Sequence, residues 1–211
     1  MLTDLTIKQF LERVASDEPV PGGGSVAALA AALSASLSEM VARLTLSKTD
    51  NTPLDEKMSV CIDKARRLQR GLIQDVDKDA DAYATVMKAY RMPKGSEQEQ
   101  NIRRTAIQNA LKEATSVPLS VAEMGVALLT LARTAATEGK AKAVTDALVA
   151  ALMARSAVIG ALYNVRINLA SITDAAFKDE MTQKAASLEK EAVEIEQGIL
   201  SFAASAIMKQ A

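Results

Sequence analysis

The feature that most constrains the fold is the stretch PVPGGGSVAALAAALSASLSEMVARLTLSK at residues 19–48. Its Pro21-Gly22-Gly23-Gly24 segment is expected to be a loop. Ser25 is a good N-cap, because its hydroxyl can accept a hydrogen bond from a first-turn amide. A helix is predicted over residues 26–47, and its first half, to Ser38, carries no charge, which is typical of a helix buried on all sides. The run is too short and too rich in serine for a membrane span, which needs about 20 apolar residues.

The triple glycine ahead of this helix has two interpretations. A helix start offers unpaired amides and the positive end of the helix dipole, and glycines let a ligand approach that backbone, which favours an anion. The alternative is a sharp turn into a tightly packed core, since the pattern is neither GxGxxG nor a P-loop. The candidate ligand-binding residues of this segment are Gly22, Gly23, Gly24 and Ser25.

The rest of the chain has helical periodicity, and no window favours a strand. Apolar residues spaced by three, four or seven extend over residues 53–91, a helix of roughly 55–60 Å, so the domain is expected to be elongated. Pro118 is expected to start or kink a helix, and Gly139 to cap its end. The prediction is one all-α domain over residues 1–211, an elongated up-and-down bundle of six or seven helices. The expected helices cover residues 6–16, 26–47, 53–91, 96–115, 118–138, 142–171 and 174–209.

Composition excludes several functions. The chain has no histidine, which removes His-ligated metal sites and Ser-His or Cys-His catalysis, and no metal site is expected. A net charge of −1 and only 3% aromatic residues argue against binding to nucleic acid or to an anionic membrane. The single cysteine, Cys61, lies on an apolar helical stripe and is expected in the core. The N-terminal segment lacks the apolar core of a signal peptide, so a cytoplasmic protein is expected.

Long alanine-rich helices often bury surplus apolar surface in a partner subunit. A homodimer formed through helices, or a dimer of dimers, is therefore expected.

A few polar residues lie where the pattern calls for apolar ones. Asp79 lies on the apolar stripe of residues 53–91. A carboxylate on a core-facing stripe is costly unless it is paired with another group or has a function. It is either an acid or base with a raised pKa or one half of a buried salt bridge. On the helix of residues 142–171, Asp146 and Asn164 share a face, and Asn168 lies one turn beyond Asn164. Asp146 and Asn164 are eighteen residues, or about 27 Å, apart, so they cannot both touch one small reacting centre within a subunit. Asp146 and Asn164 therefore either line opposite ends of a long ligand or serve different sites at an interface. For Asn164 and Asn168 there is a further alternative, which is that they only form hydrogen bonds to neighbouring helices.

Two cations lie at the end of the helix of residues 26–47. Lys48, with Arg43 one turn earlier, complements the negative end of the helix dipole. The alternative for both is contact with an anionic substrate tail.

Seven segments occur in order along the chain. They are Pro19-Val-Pro-Gly-Gly-Gly-Ser25, Leu44-Thr-Leu-Ser-Lys48, Asp79-Ala-Asp-Ala-Tyr83 with Met92-Pro93, Ser116-Val-Pro-Leu119, Gly139-Lys-Ala-Lys-Ala-Val-Thr-Asp146, Asn164-Val-Arg-Ile-Asn-Leu169 and Ile172-Thr-Asp-Ala-Ala-Phe-Lys-Asp179. Together they resemble the formiminotetrahydrofolate cyclodeaminase and methenyltetrahydrofolate cyclohydrolase family. One such segment would be a weak sign, whereas seven in order are a strong one. The match covers essentially the whole chain, with two departures, Lys140 in place of an Asn and Thr145 in place of a Ser.

This resemblance implies a helical folate enzyme with its site at a dimer interface. Its substrate would be a tetrahydrofolate derivative, including polyglutamylated forms, and no cofactor beyond this substrate is implied. The implied reaction is the cyclodeaminase one, from 5-formiminotetrahydrofolate to 5,10-methenyltetrahydrofolate and ammonia. The first alternative is the cyclohydrolase reaction, from 5,10-methenyltetrahydrofolate and water to 10-formyltetrahydrofolate. The second is a helical protein that binds folate without turnover or acts as a scaffold.

The resemblance also suggests roles for the candidate residues. Asp79 and Asp146 would transfer protons or hold the pterin edge. The amides of residues 22–25 would meet a polar or anionic part of the folate, and Lys48, with Arg43, its glutamate tail. Asn164 and Asn168 would bond the ligand or fix the interface.

Overall fold

A computed structural model describes residues 1–46 and 52–208, without the side chains of residues 206–208. The described chain is all-α and has no strand, as predicted. Its six α-helices are α1 Ile7–Val14, α2 Gly23–Thr45, α3 Pro53–Tyr90, α4 Glu97–Glu138, α5 Val144–Leu169 and α6 Ala175–Met208, with short 3-10 turns at Leu2–Asp4 and Ala141–Ala143.

Four helices form the body of the bundle. α2, α3, α4 and α5 pack each against the next, α5 closes the ring against α2, and α6 lies against α4 and α5. Short connections make successive helices antiparallel, so the N-terminal end of α2 lies beside the C-terminal end of α5. Alanines such as Ala28, Ala31 and Ala35 are fully buried along α2 and let the neighbouring backbones approach closely. The prediction that the first half of this helix is buried on all sides is wrong, because α3, α4 and α5 cover only part of its surface and leave Val26 and Leu33 40% and 50% exposed.

The helices differ in length, and this makes the domain elongated, as predicted. α3 has 38 residues and α4 has 42, whereas α2 has 23. At 1.5 Å per residue these lengths are about 57, 63 and 35 Å. The C-terminal part of α3 and the N-terminal part of α4 therefore extend beyond the start of α2 as a helical hairpin.

The two helices predicted on either side of Pro118 are one continuous helix, α4, with Pro118 buried inside it. Proline has no N–H, so it leaves the carbonyl four residues earlier, that of Ala114, without its helical hydrogen bond. Nδ2 of Asn168 donates to this carbonyl over 2.8 Å from the neighbouring helix α5. A side chain from outside the helix thus replaces the missing bond, which is why the proline does not end α4.

The ends of two helices differ from the prediction. The N-cap of α2 is Gly22 and not Ser25, and Gly23 and Gly24 are already helical. Gly139 does follow α4, but its φ of −74° is not left-handed. A side chain at Gly139 would place Cβ only 2.2 Å from the carbonyl oxygen of Ala135, so glycine is needed there for space. The predicted N-cap of α4, Ser96, is confirmed, together with its capping box to Glu99.

Cys61 is buried in the core, as predicted, and burial raises the pKa of its thiol. This fits a packing role, since a thiol with a raised pKa is a poor nucleophile at neutral pH.

Three helical segments, in α2, in α4 and in residues 141–169, are long and apolar enough by length and composition alone to cross a membrane. About half of each apolar window is buried within the bundle. Part of the rest forms an outward row of exposed large apolar side chains on the adjacent helices α2 and α5, here called the α2–α5 stripe. Its members are Val26, Leu33, Met40, Leu44, Val149, Leu152, Tyr163 and Ile167.

Candidate functional site

A cavity of about 270 Å³ lies at the start of α2, where α3, α4 and α5 meet. It brings together six residues that the sequence singled out, from three separate segments of the chain. Five come from the start of α2 and the end of α5, and the sixth, Asp79, comes from α3. The six are Gly22, Gly23, Gly24, Asp79, Asn164 and Asn168.

Asp79 is fixed by the first turn of α2. Its Oδ2 accepts a 2.9 Å hydrogen bond from the amide of Ser25 and a 3.2 Å bond from the Ser25 hydroxyl. The same hydroxyl lies 2.8 Å from the carbonyl oxygen of Val76, to which it also donates. The carboxylate therefore does for α2 what an N-cap side chain does, from another helix.

Gly24 makes this approach possible. A Cβ built on Gly24 would lie 2.0 Å from Oδ1 of Asp79 and 2.4 Å from its carboxyl carbon. Any side chain at this position would displace the carboxylate. The tight packing that the alternative interpretation expects therefore holds at Gly24, although this residue lies inside helix α2 and not in a turn.

Burial raises the pKa of Asp79, and the two hydrogen bonds from Ser25 lower it in part. The salt-bridge interpretation of Asp79 does not hold among the described residues, because no lysine or arginine lies within ion-pair distance of it. A carboxyl with a raised pKa that faces a cavity is suited both to accept and to donate a proton.

The other groups around the cavity leave polar atoms for a ligand. Within the described part of the chain, no protein acceptor takes the amides of Gly23 and Gly24. Ser25, in contrast, is fully buried, and its amide and hydroxyl are both occupied. Ser25 therefore positions Asp79, and the glycine amides are the ones left free at the helix start.

The two asparagines use their nitrogens within the protein. Nδ2 of Asn164 donates to the carbonyl of Gly160 over 2.9 Å, and Nδ2 of Asn168 donates to that of Ala114. In the described chain, neither side-chain oxygen receives a hydrogen bond. Each asparagine thus has a structural bond and, in the described chain, a free acceptor at the cavity. Only the bond of Asn168 reaches a neighbouring helix, as the alternative interpretation proposed, whereas that of Asn164 stays within α5.

Tyr83 lines the cavity and was not singled out by sequence reasoning as a site residue. It lies one helical turn after Asp79, and 38% of it is exposed. The available signal was its place four residues after Asp79 on the apolar stripe of residues 53–91.

Three other candidates lie elsewhere. Asp146 is half-buried in the first turn of α5, at the opposite end of that helix from Asn164. Arg43, near the end of α2, pairs with Glu39 over 2.7 Å. Lys48 lies outside the described residues. The expected separation of Asp146 from Asn164 within one subunit is confirmed.

No group of three or more acidic or cysteine side chains in the described chain is arranged to hold a metal ion. The fold and the site define a class of protein: a helical bundle with a small polar pocket, in which a half-buried carboxyl faces the pocket beside a helix start. The chain belongs to the formiminotransferase-cyclodeaminase family, whose model matches residues 6–187.

Individual relatives agree with this assignment. The methenyltetrahydrofolate cyclohydrolase of Methylorubrum extorquens is 35% identical over 187 residues, which are 89% of this chain and 90% of the relative. The formimidoyltransferase-cyclodeaminase of Rattus norvegicus is 36% identical over 90% of this chain, but the match spans only 35% of that longer protein. The crystal structure of formiminotetrahydrofolate cyclodeaminase from Thermotoga maritima superposes with a TM-score of 0.85 at 30% identity, covering 96% of this chain and 97% of that one.

Proposed function

We propose that this chain is a folate one-carbon enzyme that converts 5-formiminotetrahydrofolate to 5,10-methenyltetrahydrofolate and ammonia. The observation that carries the proposal is the carboxyl of Asp79, buried at the start of α2 with a raised pKa and facing a polar cavity. The structural similarity to a cyclodeaminase over nearly the whole of both chains supports the same reaction.

The chemistry needs a proton carrier and little else. N10 of the folate attacks the formimino carbon on N5, which gives a tetrahedral centre. The amino group of that centre must gain a proton before its C–N bond breaks and ammonia leaves, and N10 must lose one. Asp79 would carry a proton between the two nitrogens, since a carboxyl with a raised pKa is suited to both steps. The amides of Gly23 and Gly24 and the side-chain oxygens of Asn164 and Asn168 would hold the pterin edge.

The alternative reaction is the cyclohydrolase one, in which water adds to the methenyl bridge of 5,10-methenyltetrahydrofolate and the ring opens to 10-formyltetrahydrofolate. The observation that favours it is the 35% identity to a cyclohydrolase of similar length. This reaction also passes through a tetrahedral centre, and Asp79 would deprotonate the attacking water.

A third possibility, folate binding without turnover, rests on Lys140. This cation stands in the turn between α4 and α5, where the resembling family has Asn. The amide of Lys140 donates to Oγ1 of Thr45 over 2.9 Å, and its side chain is exposed.

An optical assay separates the three functions. The purified chain is mixed with 5-formiminotetrahydrofolate, and methenyl absorbance and ammonia are followed together. Growth of both supports the cyclodeaminase. Faster than spontaneous loss of absorbance from 5,10-methenyltetrahydrofolate, without the first reaction, supports the cyclohydrolase. Tight folate binding with neither reaction supports the non-catalytic protein.

We further propose that a second copy of this chain covers the α2–α5 stripe. The stripe holds eight exposed apolar side chains on two adjacent antiparallel helices, and Asp146 lies at its far end from the cavity. A two-fold axis across the stripe would place the two copies of α5 antiparallel. Asp146 of the partner subunit would then approach the cavity that holds Asp79, so each site would need both subunits.

The stripe proposal is tested by sedimentation of wild type, Leu33→Glu and Leu152→Glu, with Val60→Glu on α3 as the matched control. Leu33, Leu152 and Val60 are about equally exposed, at 50%, 50% and 53%. We expect a dimer for wild type and the control, and monomers for the two stripe variants. Two results would contradict the proposal. One is a monomeric wild type, and the other is a wild type that sediments with lipid vesicles while Leu33→Glu and Leu152→Glu do not.

A further inference from the structure

The cavity that holds Asp79 has two unlike walls. The start of α2 and the end of α5 contribute one wall, which presents the amides of Gly23 and Gly24 and the side chains of two asparagines. α3 and α4 contribute the other wall. Its residues are Asp79, Ala82, Tyr83, Val86 and Ala114. Among these five, the hydroxyl of Tyr83 is the one polar side-chain group besides the carboxyl of Asp79.

Tyr83 is a near neighbour of Asp79. It follows Asp79 by four residues on α3, and at this spacing the two Cβ atoms are about 5–6 Å apart. A long side chain on a helix points back toward the N-terminus of that helix, so the ring of Tyr83 leans toward the turn that carries the carboxyl. Tyr83 is also part-exposed, so water can reach this side of the cavity from solvent.

Both side chains have unused hydrogen-bonding capacity. The hydroxyl of Tyr83 has no hydrogen-bond partner in the described chain, and a phenol can both donate and accept a hydrogen bond. Ser25 donates only to Oδ2 of Asp79, and Oδ1 has no partner among the residues that the structure describes. Oδ1 and the phenol can therefore hold one water molecule between them.

We infer that Tyr83 binds the water that adds to the methenyl carbon, an inference that rests on the proposed function. The chain then has a second activity in the same cavity. After the cyclodeaminase reaction it carries 5,10-methenyltetrahydrofolate on to 10-formyltetrahydrofolate. The glycine amides and asparagine oxygens proposed to hold the pterin edge lie on the other wall, so the one-carbon unit faces Asp79 and Tyr83.

The second activity balances without a cofactor. The oxygen of the bound water forms a bond to the methenyl carbon, and one of its protons passes to the carboxylate of Asp79. The bond between this carbon and N5 then breaks, and Asp79 returns its proton to N5. The remaining hydroxyl proton leaves to solvent as the formyl group forms on N10. Tyr83 keeps its own proton throughout and acts by orienting the water.

The test compares wild type with Tyr83→Phe, which removes the hydroxyl and keeps the ring. Tyr90→Phe is the matched control, because Tyr90 lies on the same helix, is 42% exposed and does not line the cavity. Ammonia release is measured from 5-formiminotetrahydrofolate, and hydrolysis is measured from added 5,10-methenyltetrahydrofolate. The cyclodeaminase reaction consumes no water, so ammonia release reports whether each variant still folds and binds folate.

We expect Tyr83→Phe to release ammonia like wild type and to hydrolyse the methenyl compound about tenfold more slowly, since the reacting water loses one hydrogen bond. The loss should fall on kcat and leave KM unchanged, and Tyr90→Phe should match wild type in both reactions.

Three results would overturn the inference alone. They are hydrolysis by Tyr83→Phe at the wild-type rate, an equal loss of both reactions in Tyr83→Phe, and ammonia release by a wild type that hydrolyses no faster than the spontaneous rate. A wild type that performs neither reaction would refute the proposed function itself.

Discussion

The amide of Ser25 donates a 2.9 Å hydrogen bond to Oδ2 of Asp79, across 54 residues of sequence. The bond joins the first turn of α2 to the middle of α3. Because α2 has no N-cap side chain of its own, the carboxyl of Asp79 takes one of its orphan amides. The residue proposed to carry the chemistry is therefore also part of the packing that sets where α2 begins.

This arrangement predicts a large difference between two Gly→Ala substitutions. Gly24→Ala should destabilise the protein by about 1–3 kcal/mol, because the new Cβ overlaps the Asp79 carboxyl. Gly198→Ala, in the middle of α6 with nothing within 4 Å of the new Cβ, should stabilise it by about 0.5–1 kcal/mol. Urea unfolding measures both. Equal effects at the two positions would show that the carboxyl does not lie against Gly24.

The raised pKa of Asp79 predicts a pH-dependent contribution to stability. The folded state holds the proton more tightly than the unfolded chain, so this contribution is complete below the unfolded pKa of about 3.9. It is lost as the pH rises through the raised folded pKa. The free energy of unfolding of wild type, relative to that of Asp79→Asn, should therefore fall with rising pH across this window. A difference between wild type and Asp79→Asn that stays constant or grows with rising pH would contradict the assignment.

Asn168 and Asn164 should respond differently to truncation. Asn168→Ala removes the donor to the carbonyl that Pro118 leaves unpaired, and should cost about 1–3 kcal/mol. Asn164→Ala removes only a bond within its own helix, so stability should hardly change while KM for the folate rises about tenfold. Pro118→Ala supplies an amide to Ala114 and should restore much of the stability lost in Asn168→Ala. Additive effects in this double-mutant cycle would show that the two residues do not act on one carbonyl.

The class of fold could be predicted from the sequence because it depends on local patterns. Helical spacing and the absence of strand-forming windows were sufficient to predict an elongated all-α bundle. The uncharged first half of α2 did not show that one side of this helix is exposed, at Val26 and Leu33. Asp79 was detected for the same reason, since it is a carboxylate on an apolar stripe.

The predictions that were wrong failed because of contacts between segments that are distant in the sequence. Ser25 has the chemistry of an N-cap, but a carboxylate from α3 occupies the helix start, and the helix begins three residues earlier than predicted. Pro118 breaks isolated helices, and no local signal shows that Asn168 will replace its missing bond.

If the second copy completes each site, two inactive proteins should restore activity together. Asp79→Asn and Asp146→Asn should each be nearly inactive alone. After mixing and subunit exchange, about half of the dimers would be mixed, and each would contain one site with both aspartates, so activity should recover to about a quarter of wild type. If the two variants exchange subunits and enzymatic activity does not recover, the two aspartates do not belong to one shared site.

The most direct test of the account compares Asp79→Asn with wild type and Asp81→Asn in the assay for methenyl absorbance and ammonia. Asp81 is exposed on the same helix and matches the change in charge. We predict that wild type and Asp81→Asn turn over 5-formiminotetrahydrofolate or 5,10-methenyltetrahydrofolate, and that Asp79→Asn loses at least about 100-fold in kcat while remaining folded. Full turnover by Asp79→Asn would contradict the claim that the carboxyl at the start of α2 carries the proton.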